Sequence, residues 1–543
     1  GPRRNGHHRA AGRYHRAGLI PSRYRSFCHV NGIFSHSVCV SCLLYWQVGG
    51  YDARNNNIKG DDPMQLKDVL KGLDIRSAAA DMTQEITGVS YDSRTTRPGD
   101  VFVAISGEAV DGHRFIPMAA EKGAVCVVCE RAPEGDIPYV QVASSRKALA
   151  LMAGNWFDHP AKEMTMIGVT GTSGKTTSTY LIKSILEQKA GAKVGLVGTI
   201  QNMIGDQVLH TERTTPESFE LHRLFRQMSD AGCTHVVMEV SSHALALDRV
   251  YGIRFAVGIF TNLSQDHLDF HHTMEAYCDA KAILFDRCDV AIYNADDPWH
   301  ERMLAHCPCR TFSYSAKGEA DLSAKNIQLH AGSVDYDAEA DTEWAHVHVG
   351  IPAIFTVYNT LDAISACWNL GVSIEDCADA LAKNHGVKGR MEIIPTPGKS
   401  FTILNDYAHK PDALENVLTS VRGFAKGRTV VVFGCGGDRD RTKRPVMGEI
   451  AARLADFSVV TSDNPRTEEP MAIIRDILEG MKGCTAYAVE PDRVKAIHYA
   501  MDHAQPGDVI VLAGKGHEDY QEINHQHFPM DERVIVAQHL KEM

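Results

Sequence analysis

The chain is 543 residues long with a formal net charge of −12, so it should hold about three or four domains and lacks the basic footprint of a general nucleic-acid binder. No apolar run approaches the roughly 20 residues needed to span a bilayer. Its 14 cysteines are scattered rather than framed, which fits a reducing compartment such as the cytoplasm better than a disulfide scaffold.

Residues 1–63 differ from the rest. The first fifty contain seven Arg, five His and no Asp, Glu or Lys. They are expected to be a disordered leader, added or mis-started, with the natural protein beginning at Met64. A targeting peptide is the alternative, disfavoured because the stretch has no amphipathic period. Cys39/Cys42 in this leader and Cys126/Cys129 make two CxxC pairs without the regular spacing of a zinc site. Cys126 and Cys129 lie in an apolar strand pattern, 124–129, and read as buried thiols.

From Met64 onward the text is globular. Residues 66–73 read as a short amphipathic helix, and 86–91, 101–105 and 124–128 as strands with the turn Arg97-Pro98-Gly99-Asp100 between them. This predicts a small mixed α/β domain over 64–162. Strand patterns at 166–169, 235–239, 257–261 and 290–294 alternate with helical ones, which predicts a central domain over 163–388 with a largely parallel sheet. Strands at 401–405, 429–433, 458–461 and 509–513, separated by helices, predict a Rossmann-like third domain over 389–543.

The most informative stretch is 168–182, GVTGTSGKTTSTYLI. An apolar strand runs into Gly171, Thr172, Ser173, Gly174, Lys175, Thr176 and Thr177 and then into a helix. Such a loop offers backbone N–H groups and a lysine to phosphate oxygens and a hydroxyl to Mg²⁺. The usual outer glycine is absent; Val169 stands there. Two further strand ends carry metal or phosphate chemistry. Glu239 opens EVSSHAL (239–245), and TNLSQDHLD (261–269) places His267 among acidic groups. Lys281 follows in a helical pattern. Singly, Glu239 could be a strand-end ion pair, His267 a helix cap and Lys281 a surface cation.

Together with YN (358–359), GRME (389–392) and NDYAHKPDAL (405–414), these motifs resemble the Mur ligases, ATP-dependent amide-forming enzymes of peptidoglycan precursor synthesis. The resemblance runs from Met64 to Met543, and the family's loop does not need the outer glycine. It implies a three-domain α/β fold: a small UDP-binding domain, a P-loop ATPase-like domain and a Rossmann-like domain. It also implies ATP as co-substrate, two Mg²⁺ ions and a monomer in the bacterial cytoplasm. By resemblance, Lys175 meets the β- and γ-phosphates, and Thr176 and Glu239 hold one Mg²⁺. His267 and Lys281 hold the second, Lys281 as a carbamate because a protonated lysine cannot ligate a cation. Asn359 is implied at adenine, Arg390 at the phosphates and Asp406 at the ribose.

Ser93, Arg94 and His113 in the first domain, with Thr214, Thr215, Ser241 and Arg249 in the second, resemble the contacts to a UDP-muramoyl-dipeptide. They match family members that add the third peptide residue. In the third domain Arg439, Asp463, Asn464, Arg466, Gly514 and Glu518 resemble a meso-diaminopimelate pocket. That amino acid carries an extra carboxylate and ammonium at its far end; Arg466 can fork one and Glu518 can hold the other. A lysine-adding relative and a folylpolyglutamate-type ligase share the ATP machinery and stay open as alternatives, as does a nucleotide-binding regulator without turnover.

Overall fold

The computed structural model describes residues 63–107, 110–330, 332–384 and 386–543. The leader through residue 62, with Cys39 and Cys42, lies outside them. Three sheets organise the described chain.

The first sheet has five strands in the order Ile75–Ala79, Tyr139–Val142, Cys126–Cys129, Asp100–Val103, Gly88–Ser90. Only the Ile75–Ala79 edge is antiparallel. The expected 66–73 helix is confined to Leu66–Val69, because the chain turns out of it through Gly72, whose φ is 81°. Cys126 and Cys129, three apart on one strand, face opposite sides of the sheet. Cys126 packs with Val101, Val140 and Trp156, and Cys129 with Phe102 and Ala119. Burial pushes the two thiols up to about 12 and about 11.

The helix Ser145–Trp156, capped where Ser144 accepts from the Lys147 amide, packs on the helix Ser218–Asp230. Between them His222 is 4 % exposed, and neither ring nitrogen has a hydrogen-bond partner. Burial lowers its pKa from 6.5 to about 4, with His159 adding to the effect. Below pH 6.5 the unfolded chain binds a proton here that the folded chain refuses, so stability falls as pH falls from 6.5 toward 4. At pH 5 the loss is about 2 kcal/mol. His222→Leu is therefore expected to shrink the drop in thermal midpoint between pH 8 and pH 5; an unchanged drop would contradict this account.

The central sheet has eleven strands. Its inner seven are parallel, in the order Val194–Val197, His235–Glu239, Thr165–Thr170, Phe255–Phe260, Cys288–Asn294, Arg310–Ser315, Leu322–Leu329. The sheet is largely parallel, as expected, with antiparallel strands at both margins. One margin is the hairpin Asn202–Ile204/Gln207–Leu209, and the other is the ribbon Val334–Glu339/Trp344–Val349. The ribbon alternates buried Val334, Tyr336, Ala338 and Ala345, Val347, Val349 with polar residues. The pairs Asp337–His346 (2.9 Å) and Asp335–His348 (2.8 Å) line its other face. Helices Lys175–Lys189, Ile354–Asn369 and Ile374–Leu381 pack as one layer against this sheet.

The third sheet has the order Glu392–Ile394, Thr402–Asp406, Val509–Ala513, Thr429–Phe433, Phe457–Val460, Tyr487–Val489. All but the first strand are parallel. Parallel sheets buried on both faces read as continuous apolar runs, which is why Thr429–Phe433 and Val509–Ala513 fall where the sequence places them.

Candidate active site

Open parallel sheets bind ligands beyond the carboxyl ends of their strands. In the central sheet, Thr165–Thr170, His235–Glu239 and Phe255–Phe260 are neighbours, so the phosphate-type loop, Glu239 and Thr261 share one edge. The loop is held tightly. Thr172 and Ser173 amides donate to the carbonyl and side-chain oxygens of Asn262 at 2.9 and 3.0 Å, and Thr261 Oγ1 donates to Ser173 O at 2.7 Å. Gly171 has φ 147°, and a Cβ there would overlap the Thr261 hydroxyl. Gly174 has φ 88°, and a Cβ would press on Asn359 Oδ1, so Asn359 stands against the loop itself.

Two ammonium groups converge on one carbonyl. Lys175 Nζ donates to Gly171 O at 2.8 Å and Thr172 O at 2.9 Å, while Lys281 Nζ donates to the same Gly171 O at 2.9 Å. Lys281 is 1 % exposed and sits 4.5 Å over the Tyr277 ring, so it is no surface cation. Burial, then the charge of Lys175, lower its pKa well below the ordinary 10.5, with Asp266 opposing. Burial also lowers Lys175; Glu239 and Asp266 oppose the shift, and Lys410 and Arg390 add to it.

Thr176 Oγ1 donates to Glu239 Oε1 at 3.0 Å, and the Thr199 amide and hydroxyl donate to Oε1 and Oε2 at 2.9 and 3.0 Å. This hard-oxygen pair beside the loop suits Mg²⁺. His267 initiates the short helix Leu268–His271 with φ 52°, its Nε2 3.3 Å from Asp266 Oδ2. Burial brings its pKa down to about 4 against the pull of Asp266, so at neutral pH the ring is neutral and able to ligate. His243 lies edge-on to it with centroids 4.8 Å apart. The His271 ring is tilted against Tyr277 with centroids 5.1 Å apart, and its Nε2 bonds Ser242 Oγ at 2.9 Å. Tyr277, His243 and His271 have no signal in the sequence beyond lying in or near the quoted motifs.

Thr214, Thr215, Ser241 and Arg249 form one network with Glu239. Thr214 Oγ1 meets Thr199 Oγ1 at 3.0 Å, and Thr215 Oγ1 donates to Glu239 O at 2.8 Å while accepting from the Ser241 amide at 3.1 Å. Arg249 Nη1 donates to Thr215 O at 3.1 Å, and its Nε pairs with Glu217 Oε1 at 2.6 Å. In the first domain Ser93 is buried beside Met118 Sδ (3.5 Å), and Arg94 is exposed and paired with Asp92 at 2.6 Å. His113 spends both nitrogens internally: Nδ1 on Asp111 at 2.8 Å and Nε2 accepting from the Glu130 amide at 2.9 Å. It supports its loop and presents no free ring nitrogen.

Just before the third sheet's first strand the Arg390 guanidinium lies 5.0 Å over the Tyr407 ring, and Asp406 Oδ2 accepts from the Met391 amide at 2.8 Å. Burial raises the Asp406 carboxyl while Arg390 opposes. Lys410 Nζ bonds both oxygens of Asp266, at 2.8 and 2.7 Å, tying the third sheet's loop to the residue next to His267. Lys410 and Asp266 both lie in quoted motifs, yet nothing in the sequence pairs them across 144 positions.

Around the loop after Phe457–Val460, the six expected pocket residues come together. Arg466, Arg439 and Asn464 surround Gly436, and Asp463 Oδ2 lies 3.1 Å from where a Cβ on Gly514 would stand, while Asn464 Nδ2 donates to Glu518 Oε2 at 3.0 Å. Arg466 is partly committed: its Nε pairs with Glu522 Oε2 at 2.8 Å and its Nη1 donates to Gly437 O at 2.9 Å.

Family models cover most of the chain. The Mur ligase family catalytic domain matches residues 85–156, the Mur ligase middle domain 169–367 and the Mur ligase glutamate ligase domain 389–516. A Clostridium tetani protein named UDP-N-acetylmuramoyl-L-alanyl-D-glutamate–2,6-diaminopimelate ligase is 47% identical over 487 residues, covering 88% of this chain and 100% of that protein. A Listeria monocytogenes protein of the same name is 40% identical over 480 residues, covering 87% and 97%. A solved structure of a ligase so named superimposes with TM-score 0.67 at 30% identity, covering 89% of this chain and 99% of that one. A Thermotoga maritima MurF ligase solved with ADP shares the fold, with TM-score 0.55 at 21% identity.

Proposed function

This chain belongs to the Mur ligase family, and on that premise we propose how its residues divide the work among domains 64–162, 163–388 and 389–543. The activity is ATP-dependent, ADP-forming addition of 2,6-diaminopimelate to UDP-N-acetylmuramoyl-L-alanyl-D-glutamate, a step of peptidoglycan synthesis. The lysine-adding and folylpolyglutamate-type alternatives fall away against relatives of that name at 40–47% identity. We propose the meso isomer as substrate and a monomer acting in the bacterial cytoplasm. Among the described residues no helix is long and apolar enough to cross a membrane.

In the first step the free D-glutamate carboxylate attacks the γ-phosphorus of ATP, the bond to the β–γ bridging oxygen breaks, and ADP leaves. The diaminopimelate amine then attacks the acyl phosphate; phosphate departs and the amine loses a proton. The carrying observation is the convergence of Lys175, Lys281, Thr176 and Glu239 on one loop. Lys175 and Arg390 supply positive charge to the transferring phosphoryl group, the main electrostatic need of such a reaction.

Thr176 with Glu239, and His267 with carbamylated Lys281, are proposed to hold two Mg²⁺ ions, which neutralise phosphate charge when bound. Gly171, Thr172, Ser173, Gly174 and Thr177 cradle the phosphates; Asn359, Arg390 and Asp406 complete the nucleotide contacts. Ser93 and Arg94 meet the uridine-diphosphate end, with His113 acting through Asp111. Thr214, Thr215, Ser241 and Arg249 meet the peptide end. Arg439, Asp463, Asn464, Arg466, Gly514 and Glu518 form the diaminopimelate pocket. The test is isotopic: ¹⁸O placed in the attacking carboxylate should appear in released phosphate. Phosphate free of label would contradict the acyl phosphate.

A further inference from the structure

Lys515, in the turn after Val509–Ala513, is fully buried, and no role above falls to it. Its Nζ donates to Asn464 Oδ1 at 2.6 Å and Glu518 Oε2 at 2.9 Å, stands 3.6 Å from Asp463 Oδ1 and lies 5.2 Å over the Tyr520 ring. A buried ammonium is tolerated only when paired, and here two carboxylates surround it. Asp463 Oδ1 is buried and makes no hydrogen bond, whereas Glu518 Oε2 is bonded directly by the ammonium.

Other cations nearby make their hydrogen bonds to other groups. Arg493 pairs with Glu532 at 2.7 Å and donates to Ala513 O at 2.9 Å; Arg466 pairs with Glu522; Lys443 donates to His409 O at 2.8 Å. Lys515 also sets the Asn464 amide. Because Asn464 Oδ1 accepts from Lys515 and from the Glu522 amide at 2.8 Å, its Nδ2 is turned onto Glu518.

We propose that Lys515 is a positioning residue for amino-acid specificity: an internal ammonium that, with the Asn464 amide it orients, fixes the Glu518 carboxylate that takes up one substrate ammonium. This rests on the diaminopimelate reading of the same pocket. In the full-length enzyme, Lys515→Met is expected to raise KM for diaminopimelate about tenfold or more while KM for ATP and for the UDP-dipeptide stay within about twofold. Because Lys515 acts through Glu518, KM for diaminopimelate in the double variant Lys515→Met/Glu518→Gln should stay within about twofold of that of Glu518→Gln alone. A lysine serving only as packing would add its full loss to that of Glu518→Gln.

An unchanged KM in folded Lys515→Met, or losses that add in the double variant, overturns the proposal. If Lys515→Met does not fold, Asn464→Ala takes its place in the same cycle, and additive losses there likewise overturn it. A wild-type enzyme that uses lysine as readily as diaminopimelate would instead indict the pocket reading itself.

Discussion

Lys281→Ala is expected to lower kcat by about 10²–10³-fold, the scale for losing one preorganised charge at a phosphoryl-transfer centre. With Nζ on Gly171 O beside the Lys175 ammonium, a protonated Lys281 is opposed by desolvation and by like charge, so its amine is held neutral far more readily than a surface lysine's. A neutral amine adds to CO₂, forming an N–C bond and releasing one proton. The resulting carbamate exchanges Lys175–Lys281 repulsion for attraction and supplies an oxygen ligand. The sign with pH follows: acid protonates the amine, so carbamate and activity are lost as pH falls toward the lowered pKa. Wild-type enzyme in CO₂-depleted buffer should lose turnover and regain it with bicarbonate, whereas Lys281→Ala should not respond. Full activity of Lys281→Ala would contradict the carbamate.

Arg466→Ala is expected to raise KM for diaminopimelate about 100-fold, the loss of a charge-assisted hydrogen bond of about 2–3 kcal/mol, with KM for ATP little changed. Because Arg466 also ties its loop to Glu522 and Gly437, a general loosening must be separated from loss of the carboxylate contact. Lysine as acceptor does this, since it has no distal carboxylate. The preference for diaminopimelate over lysine should collapse in Arg466→Ala, while any turnover with lysine should stay at its wild-type rate. Equal losses with both amino acids would assign Arg466 to loop structure instead.

The apolar runs that become inner parallel strands were readable because burial on both faces leaves no polar interruption, as at His235–Glu239. The ribbon Val334–Val349 was not: its outward positions carry Asp335, Asp337, His346 and His348, whose cross-strand pairing exists only after folding. At the site, motif spacing located Lys175, Glu239, His267 and Lys281. Their mutual geometry was not legible, because the shared Gly171 carbonyl lies 110 positions from Lys281. The same holds for Lys410 on Asp266 and for His113, whose nitrogens are taken by Asp111 and Glu130. Sequence motifs name the participants; distance along the chain hides who already has a partner.

The most direct measurement of the central claim is a competition. The full-length enzyme is given ATP, UDP-N-acetylmuramoyl-L-alanyl-D-glutamate and equimolar meso-diaminopimelate and L-lysine, and the UDP-tripeptide products are resolved by mass. The account predicts that the diaminopimelate product dominates, with one ADP formed per tripeptide. A product mixture near parity, or mainly lysine product, would contradict it.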